Sequence, residues 1–196
     1  SYSDNAGGVV GSLDNSILEN AINFGSIKAL NSVGGIVGKM ESSILTSCYN
    51  FGDINEGRSY IGGIVGFSIS NNFTWSKISQ CYNNANLYPQ STIVNDNPYP
   101  SHYPQYVGGL IGGTGGTILE DSSNKGNLFG GAEVAGLVGR MTGGTITNCV
   151  NEGNVTALAS GDQAKNKGVS GITNSSLWPN IDICDTVNKG NVVATG

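Results

Sequence analysis

The chain has 196 residues, 31 glycines and, by count, 24 asparagines; 12% of its residues are charged and its formal net charge is −5. This acidic balance, with no basic patch, speaks against a nucleic-acid binder. No apolar run is long enough for a membrane-spanning helix, and four cysteines in this length make no disulfide framework.

Aligned with itself, the chain repeats two motifs in fixed order six times. The first is aliphatic-Gly-Gly-aliphatic-aliphatic-Gly. The second is aliphatic-x-x-small-x-Asn-x-Gly-x-aliphatic. In chain order the pairs are Ala6 to Gly11 with Leu18 to Ile27, then Val33 to Gly38 with Leu45 to Ile54. Next come Ile61 to Gly66 with Ile78 to Leu87, and Val107 to Gly112 with Leu119 to Leu128. The last are Val134 to Gly139 with Ile146 to Val155, and Val169 to Asn174 with Ile183 to Val192. The shortest interval between equivalent asparagines is 27 residues, from Asn23 to Asn50 and from Asn124 to Asn151. Longer intervals reflect insertions. The units run over about 6–32, 33–60, 61–106, 107–133, 134–168 and 169–196, in one solenoid domain over 1–196. The chain begins at Ser1 with no signal peptide, and we expect a fragment of a longer, processed protein.

Each unit offers three short apolar segments, in unit two Val33 to Val37, Ser43 to Cys48 and Asp53 to Ile54. None suits a helix, and β-branched residues dominate. Three short strands and three corners per unit predict an all-β fold, a right-handed parallel β-helix (β-solenoid) of about six coils. Successive coils then stack about 4.8 Å apart. Ile36, Ile64, Leu110, Leu137 and Ile172 form one inward column, and Ala21, Cys48, Cys81, Ser122, Cys149 and Thr186 a second, small one. The cysteines there act as small hydrophobes, and parallel side chains in one column suit free thiols better than a bridge between Cys48 and Cys81. A third column, Asn23, Asn50, Asn83, Asn124, Asn151 and Asn188, is expected to form an amide ladder. At that corner Asn and the glycines two residues on (Gly25, Gly52, Gly126, Gly153, Gly190) suit a left-handed backbone. Ala85 replaces the glycine in unit three, where the corner should differ.

The wording "VGGIVG", "VGGLIG" and "AGLVG", followed by "CYNFGDI" or "CVNEGNV", resembles the GLUG-motif repeats, clearest at Gly136-Leu137-Val138-Gly139. The resemblance covers about nine-tenths of the chain. It implies a repeat segment of a bacterial secreted or wall-attached protein, such as the non-catalytic part of immunoglobulin A1 peptidases or gut-bacterial adhesins. It implies an extracellular β-helical segment and no catalytic residues, and His-Glu-x-x-His is absent.

The remaining motifs read structurally. "GGTGG" (Gly112 to Gly116) lacks the Lys-Ser/Thr of a phosphate loop and reads as a turn. His102 has no partner at metal-ligand spacing. Glu120 with Asp121, Asp182 with Asp185, and Glu133 or Asp162 are the candidate carboxylates for a polysaccharide-degrading site, yet none recurs at one column of adjacent coils. "NNFT", "NVT" and "NSS" read as Asn-rich corners. No cofactor and no metal is expected.

Three insertions could bind. Tyr88 to Tyr106 holds four of the eight tyrosines and four of the five prolines, giving rigid amphipathic contact surface. Ala157 to Gly168 interrupts the same corner two coils later, about 10 Å away. Phe67 to Lys77, with Phe73 and Trp75, lies at another corner. The candidate ligand-binding residues are Tyr88, Tyr99, His102, Tyr103, Tyr106 and Asp162. A host glycan or host protein is the expected partner, beside other domains of the same polypeptide. The function expected is adhesin or structural spacer. The alternative is a carbohydrate-binding or polysaccharide-degrading β-helix module.

Overall fold

The computed structural model describes residues 5–71, 74–89, 104–158, 168–175 and 181–195. They form a right-handed parallel β-helix of six rungs. Four sheets take one short strand from every coil, and all pairings are parallel. Coil two shows the course: Asn31–Gly34, Val37–Glu41, Ile44–Thr46, Tyr49–Asn50 and Ile54–Glu56. The first four belong to six-stranded sheets. The fifth column is carried across coil three by bridges from Ile54 to Leu87 and from Leu87 to Leu128.

The coil therefore has five short strands, because the expected apolar segments are cut by corners. Val33 to Val37 turns at Gly35 and Ile36. Hydrogen bonding continues through this turn, with the Ile64 carbonyl accepting from both Ile36 and Val37 N–H, each at 3.0 Å. The Leu110 carbonyl accepts likewise from Ile64 and Val65, and the Leu137 carbonyl from Leu110 and Ile111. One acceptor serving two donors bends the chain without orphaning a buried amide.

These corner residues form the expected aliphatic column. Ile36, Ile64, Leu110 and Leu137 are fully buried and Ile172 packs against them. The small column stands beside it, with Cys48, Cys81, Ser122 and Cys149 buried. The cysteines there are free thiols. A second apolar cluster, from Ile27, Ile54, Leu87, Leu128 and Val155 against Val33, Ile61, Val107 and Val134, fills the space between the first and fifth columns.

The left-handed corner lies elsewhere than the sequence suggested. Neither the ladder asparagines nor the glycines two residues on have positive φ. That conformation falls on Asn20, Ser47, Gln80, Asp121, Asn148 and Asp185, with φ from 47° to 55°. Each sits just before a small-column residue. Four of those small residues (Cys48, Cys81, Ser122 and Cys149) donate back across the corner to the carbonyl two residues earlier. Thr186 does the same at 2.8 Å. The αL residues of this corner are polar, the types that tolerate this backbone; a second αL column, Ser32, Tyr60, Tyr106 and Glu133, runs along the first sheet with φ from 44° to 59°.

The insertions are narrower than expected. Phe67 lies in Val65–Ile69 and Lys77 in Ser76–Ser79, so the added segment is 70–75. Tyr106 lies in Gln105–Gly108 and Ala157 in Val155–Leu158. The two longer insertions both link the fifth column to the first, in coils three and five.

Candidate functional site

The interior explains why two motifs recur together. Asn23, Asn50, Asn83, Asn124, Asn151 and Asn188 lie in one row, the Nδ2 of each of the first five donating to the Oδ1 one coil on at 2.7–3.0 Å. Each Nδ2 also donates to the carbonyl two residues ahead, at 2.8–3.2 Å. The second glycine of the first motif faces this row across the coil. A Cβ on Gly35 would lie 2.4 Å from the Asn50 amide carbon, one on Gly63 2.3 Å from that of Asn83, and one on Gly136 2.4 Å from that of Asn151. This glycine stands in all six units, including "VAG" and "VSG". The glycine makes the space that the asparagine fills, so neither motif can change alone.

The glycine after the ladder has a packing role. Cβ atoms on Gly52, Gly153 and Gly190 would meet the previous coil's glycine carbonyl at 1.9–2.0 Å. Ala85 keeps both local hydrogen bonds to Asn83; its N–H bond is 3.3 Å, against 3.0–3.2 Å at Gly25, Gly52 and Gly126. Sequence reasoning missed a second polar row one residue further on. The Asp53 carboxylate accepts from Asn86 N–H, the Asn86 amide from Asn127 N–H, Asn127 from Asn154, and Asn154 from Asn191, at 2.8–3.1 Å. The signal was the recurrent Asp or Asn after the "NxG" glycine.

The outer surface of the ladder sheet carries chemistry of another kind. In register along it stand Ile22, Tyr49, Tyr82, Ser123, Val150 and Val187. Tyr49 and Tyr82 stack at 5.2 Å, as do the neighbouring Phe24 and Phe51. Rings stacked along the axis cover one another and show their edges outward. The row breaks at Ser123, which has no ring, so Tyr82 has no stacking partner on that side. There a cleft of about 390 Å³ opens, lined by Tyr82, Ser123, Val150, Asp121, Asn148, Lys125 and Glu152. Asn148 Nδ2 donates to Asp121 Oδ1 at 2.6 Å. Glu152 pairs with Lys189 at 3.2 Å and with Lys125 at 3.8 Å. Burial raises the Tyr82 hydroxyl above its ordinary value, with Tyr49, Cys81 and Asp121 adding to it, so it remains a neutral donor.

A second cleft, of about 270 Å³, lies on another sheet over Gly113 and Gly115. The glycines give it a flat floor within Ile111–Gly115, so "GGTGG" turns only at Gly116, where φ is +82°. Tyr60 leans over Gly113 and stacks on Tyr106 at 4.8 Å. Arg140 lies 5.1 Å from the Tyr106 ring centre and donates to its hydroxyl at 3.2 Å. Burial raises the Tyr60 hydroxyl, more than Arg140 lowers it.

Of the six candidate binding residues, Tyr99, His102, Tyr103 and Asp162 lie outside the described residues. Tyr88 is 40% exposed and donates its N–H to the Ile54 carbonyl. Tyr106 is half-buried in the second cleft's stack. Among the carboxylates, Glu120 pairs with Lys77 at 2.7 Å and Glu133 lies 4.0 Å from Arg140. Asp182 and Asp185 are exposed. Among the described residues no group of acidic, His or Cys side chains is arranged to hold a metal.

The fold and its registered columns define a repeat protein, a β-helix whose coils are variations on one unit. Residues 103–128, holding Val107 to Gly112 and Leu119 to Leu128, match the family model described as the GLUG motif. The chain carries that motif in a repeat region, and the resemblance read from its six units is borne out. Comparison with curated proteins and with solved structures gave no match.

Proposed function

We propose that this chain is a non-catalytic repeat segment of a bacterial secreted or cell-surface protein, extracellular or wall-attached, and that it acts as an adhesin on a rigid spacer. The observation that carries this reading is the parallel stacking of six rungs, with four sheets running through all of them. Every coil is hydrogen-bonded to the next on all sides, and a buried amide row ties the stack from Asn23 to Asn188. Such a stack resists bending and offers long side faces for contact, as solenoids do. Its partners are a host glycan or host protein on those faces and further domains of the same polypeptide. The carboxylates of the larger cleft hold partners on neighbouring rungs, which suits recognition.

The test is display on a non-adherent bacterial surface. Attachment to immobilised glycans and host proteins is compared with that of a Gly-Ser link of equal length, and reducing ends are measured in a polysaccharide panel. The segment should confer attachment without releasing sugar. Attachment equal to the flexible link would leave only the spacer role, and sugar release would overturn the non-catalytic reading.

A further inference from the structure

We infer that the cleft beside Tyr82 is a binding site for neutral saccharides. The inference rests on the adhesive reading and names its site and ligand class. The cleft has an origin in the repeat. Five positions of this outward row carry an aliphatic or aromatic side chain, and coil four carries Ser123. The small Ser123 between Tyr82 and Val150 leaves a slot one rung deep at the end of the ring stack. Its wall is the Tyr82 ring, whose other side is covered by Tyr49.

A sugar ring has an apolar C–H face and a rim of hydroxyls. The slot supplies the complement of both. Tyr82 gives a flat, polarisable face held rigid by its stack. Asp121 and Asn148 stand one rung apart beside it, joined at 2.6 Å. That pairing leaves the second carboxylate oxygen of Asp121 and the carbonyl of Asn148 as acceptors side by side. Neighbouring hydroxyls of a sugar bond well to a carboxylate. The volume, about 390 Å³, is that of a small-ligand cleft.

Charge selects among sugars. Glu152 is neutralised by Lys125 and Lys189, whereas the partner of Asp121 in the cleft is a neutral amide. Asp121, Glu152, Lys125 and Lys189 sum to zero and both lysines are engaged by Glu152, so the described residues leave no unpaired cation to hold a uronic acid, sialic acid, sulfate or phosphate, and the cleft suits neutral sugars.

The experiment uses the full chain, with saturation-transfer NMR and calorimetry on neutral oligosaccharides of glucose, galactose, mannose and xylose, and on oligogalacturonate and sialyllactose as acidic counterparts. Three proteins are compared: the parent chain, Tyr82→Ala and Ser123→Tyr. The tyrosine extends an existing stack at a strand position suited to aromatics, so Ser123→Tyr should melt at or above the parent temperature. We expect a neutral oligosaccharide to bind the parent, to lose at least tenfold in affinity with Tyr82→Ala, and not to bind Ser123→Tyr. Binding that survives Ser123→Tyr, a preference for the acidic sugars, or no neutral sugar bound by the parent would overturn the site. Surface attachment that persists in Ser123→Tyr would sink this cleft and leave the adhesive reading standing. Attachment no better than the Gly-Ser link would remove both.

Discussion

At the scale of single residues, Asn50 shows what the repeat demands. It is fully buried. It accepts from Asn23 and from Gly52 N–H, and donates to Asn83 and to the Gly52 carbonyl. Asn50→Ala strands these groups, each costing about 1–3 kcal/mol when buried and unmet. Asn50→Asp should be worse, because its second oxygen would face the Asn83 Oδ1 where a donor is required. Denaturant unfolding should rank parent, Ala and Asp in falling order; an Asp variant as stable as Ala would show that the row is not held by donor direction. Glycine gives a second contrast. Gly109→Ala would place its methyl 2.1 Å from the Gly136 carbonyl and 2.5 Å from the Asn124 amide carbon, whereas a methyl at Gly25 has nothing closer than 3.6 Å. Gly109→Ala should cost at least about 1–3 kcal/mol, as overpacking does, and Gly25→Ala should be close to neutral. Equal melting temperatures for the two would refute the packing role. The asparagine row was legible because one amide recurs at one offset in all six units. The left-handed corner was not. Its residues are Asn, Ser, Gln and Asp, which share a backbone tolerance and no side-chain identity.

At the scale of strands and columns, the small column sets a pH dependence. Burial pushes the Cys149 thiol up to about 11 from its ordinary 9.0, its hydrogen bonds to backbone offsetting part of this. A thiol held protonated in the fold adds stability that is whole below pH 9. Above that the unfolded chain ionises first, and stability falls as pH rises toward 11, by about 1.4 kcal/mol per pH unit and on the order of 3 kcal/mol in all. The contact with Cys48, in which Cys81 keeps its proton, and then burial push Cys81 in the same direction, while Cys48 as the acceptor is lowered to about 7. Cys149→Ser should fit, since Ser122 occupies the same column and bonds the same way. Urea unfolding between pH 8 and 11 should show a shallower alkaline loss in Cys149→Ser; an unchanged slope would mean the buried thiol does not drive it. In the native state Cys184, which is exposed, should react with a thiol reagent while Cys48, Cys81 and Cys149 wait for unfolding. The columns themselves were readable from the repeat. The division of each coil into five strands was not, because Val33 to Val37 reads as one apolar run. Only the shared carbonyl of Ile64 shows where the chain turns. The Tyr82 cleft was hidden for a related reason. It is made by what coil four lacks at Ser123, and a scan for conspicuous residues passes over a missing ring.

At the scale of the whole molecule, stability should be graded along the stack, because each coil bonds chiefly to its neighbours. Coils two to five bury their inward residues on both sides. In coil six, Ile183 is 45% exposed and Val192 41%, whereas their equivalents one coil back, Ile146 and Val155, are fully buried. The outer coil can therefore open while the rest stays closed, at the cost of one interface. Hydrogen exchange tests this directly. The amides of Ile64 and Leu110, bonded to Leu110 and Leu137 in the middle of the aliphatic column, should exchange slowest. Those of Val187 and Lys189, bonded from coil six to Cys149 and Asn151, should exchange at least about tenfold faster. Asn151→Ala cuts the amide row between coils five and six. It should speed Val187 and Lys189 far more than Ile64. If all four amides instead exchanged at one rate and slowed or sped together in the variant, the six coils would open as one unit.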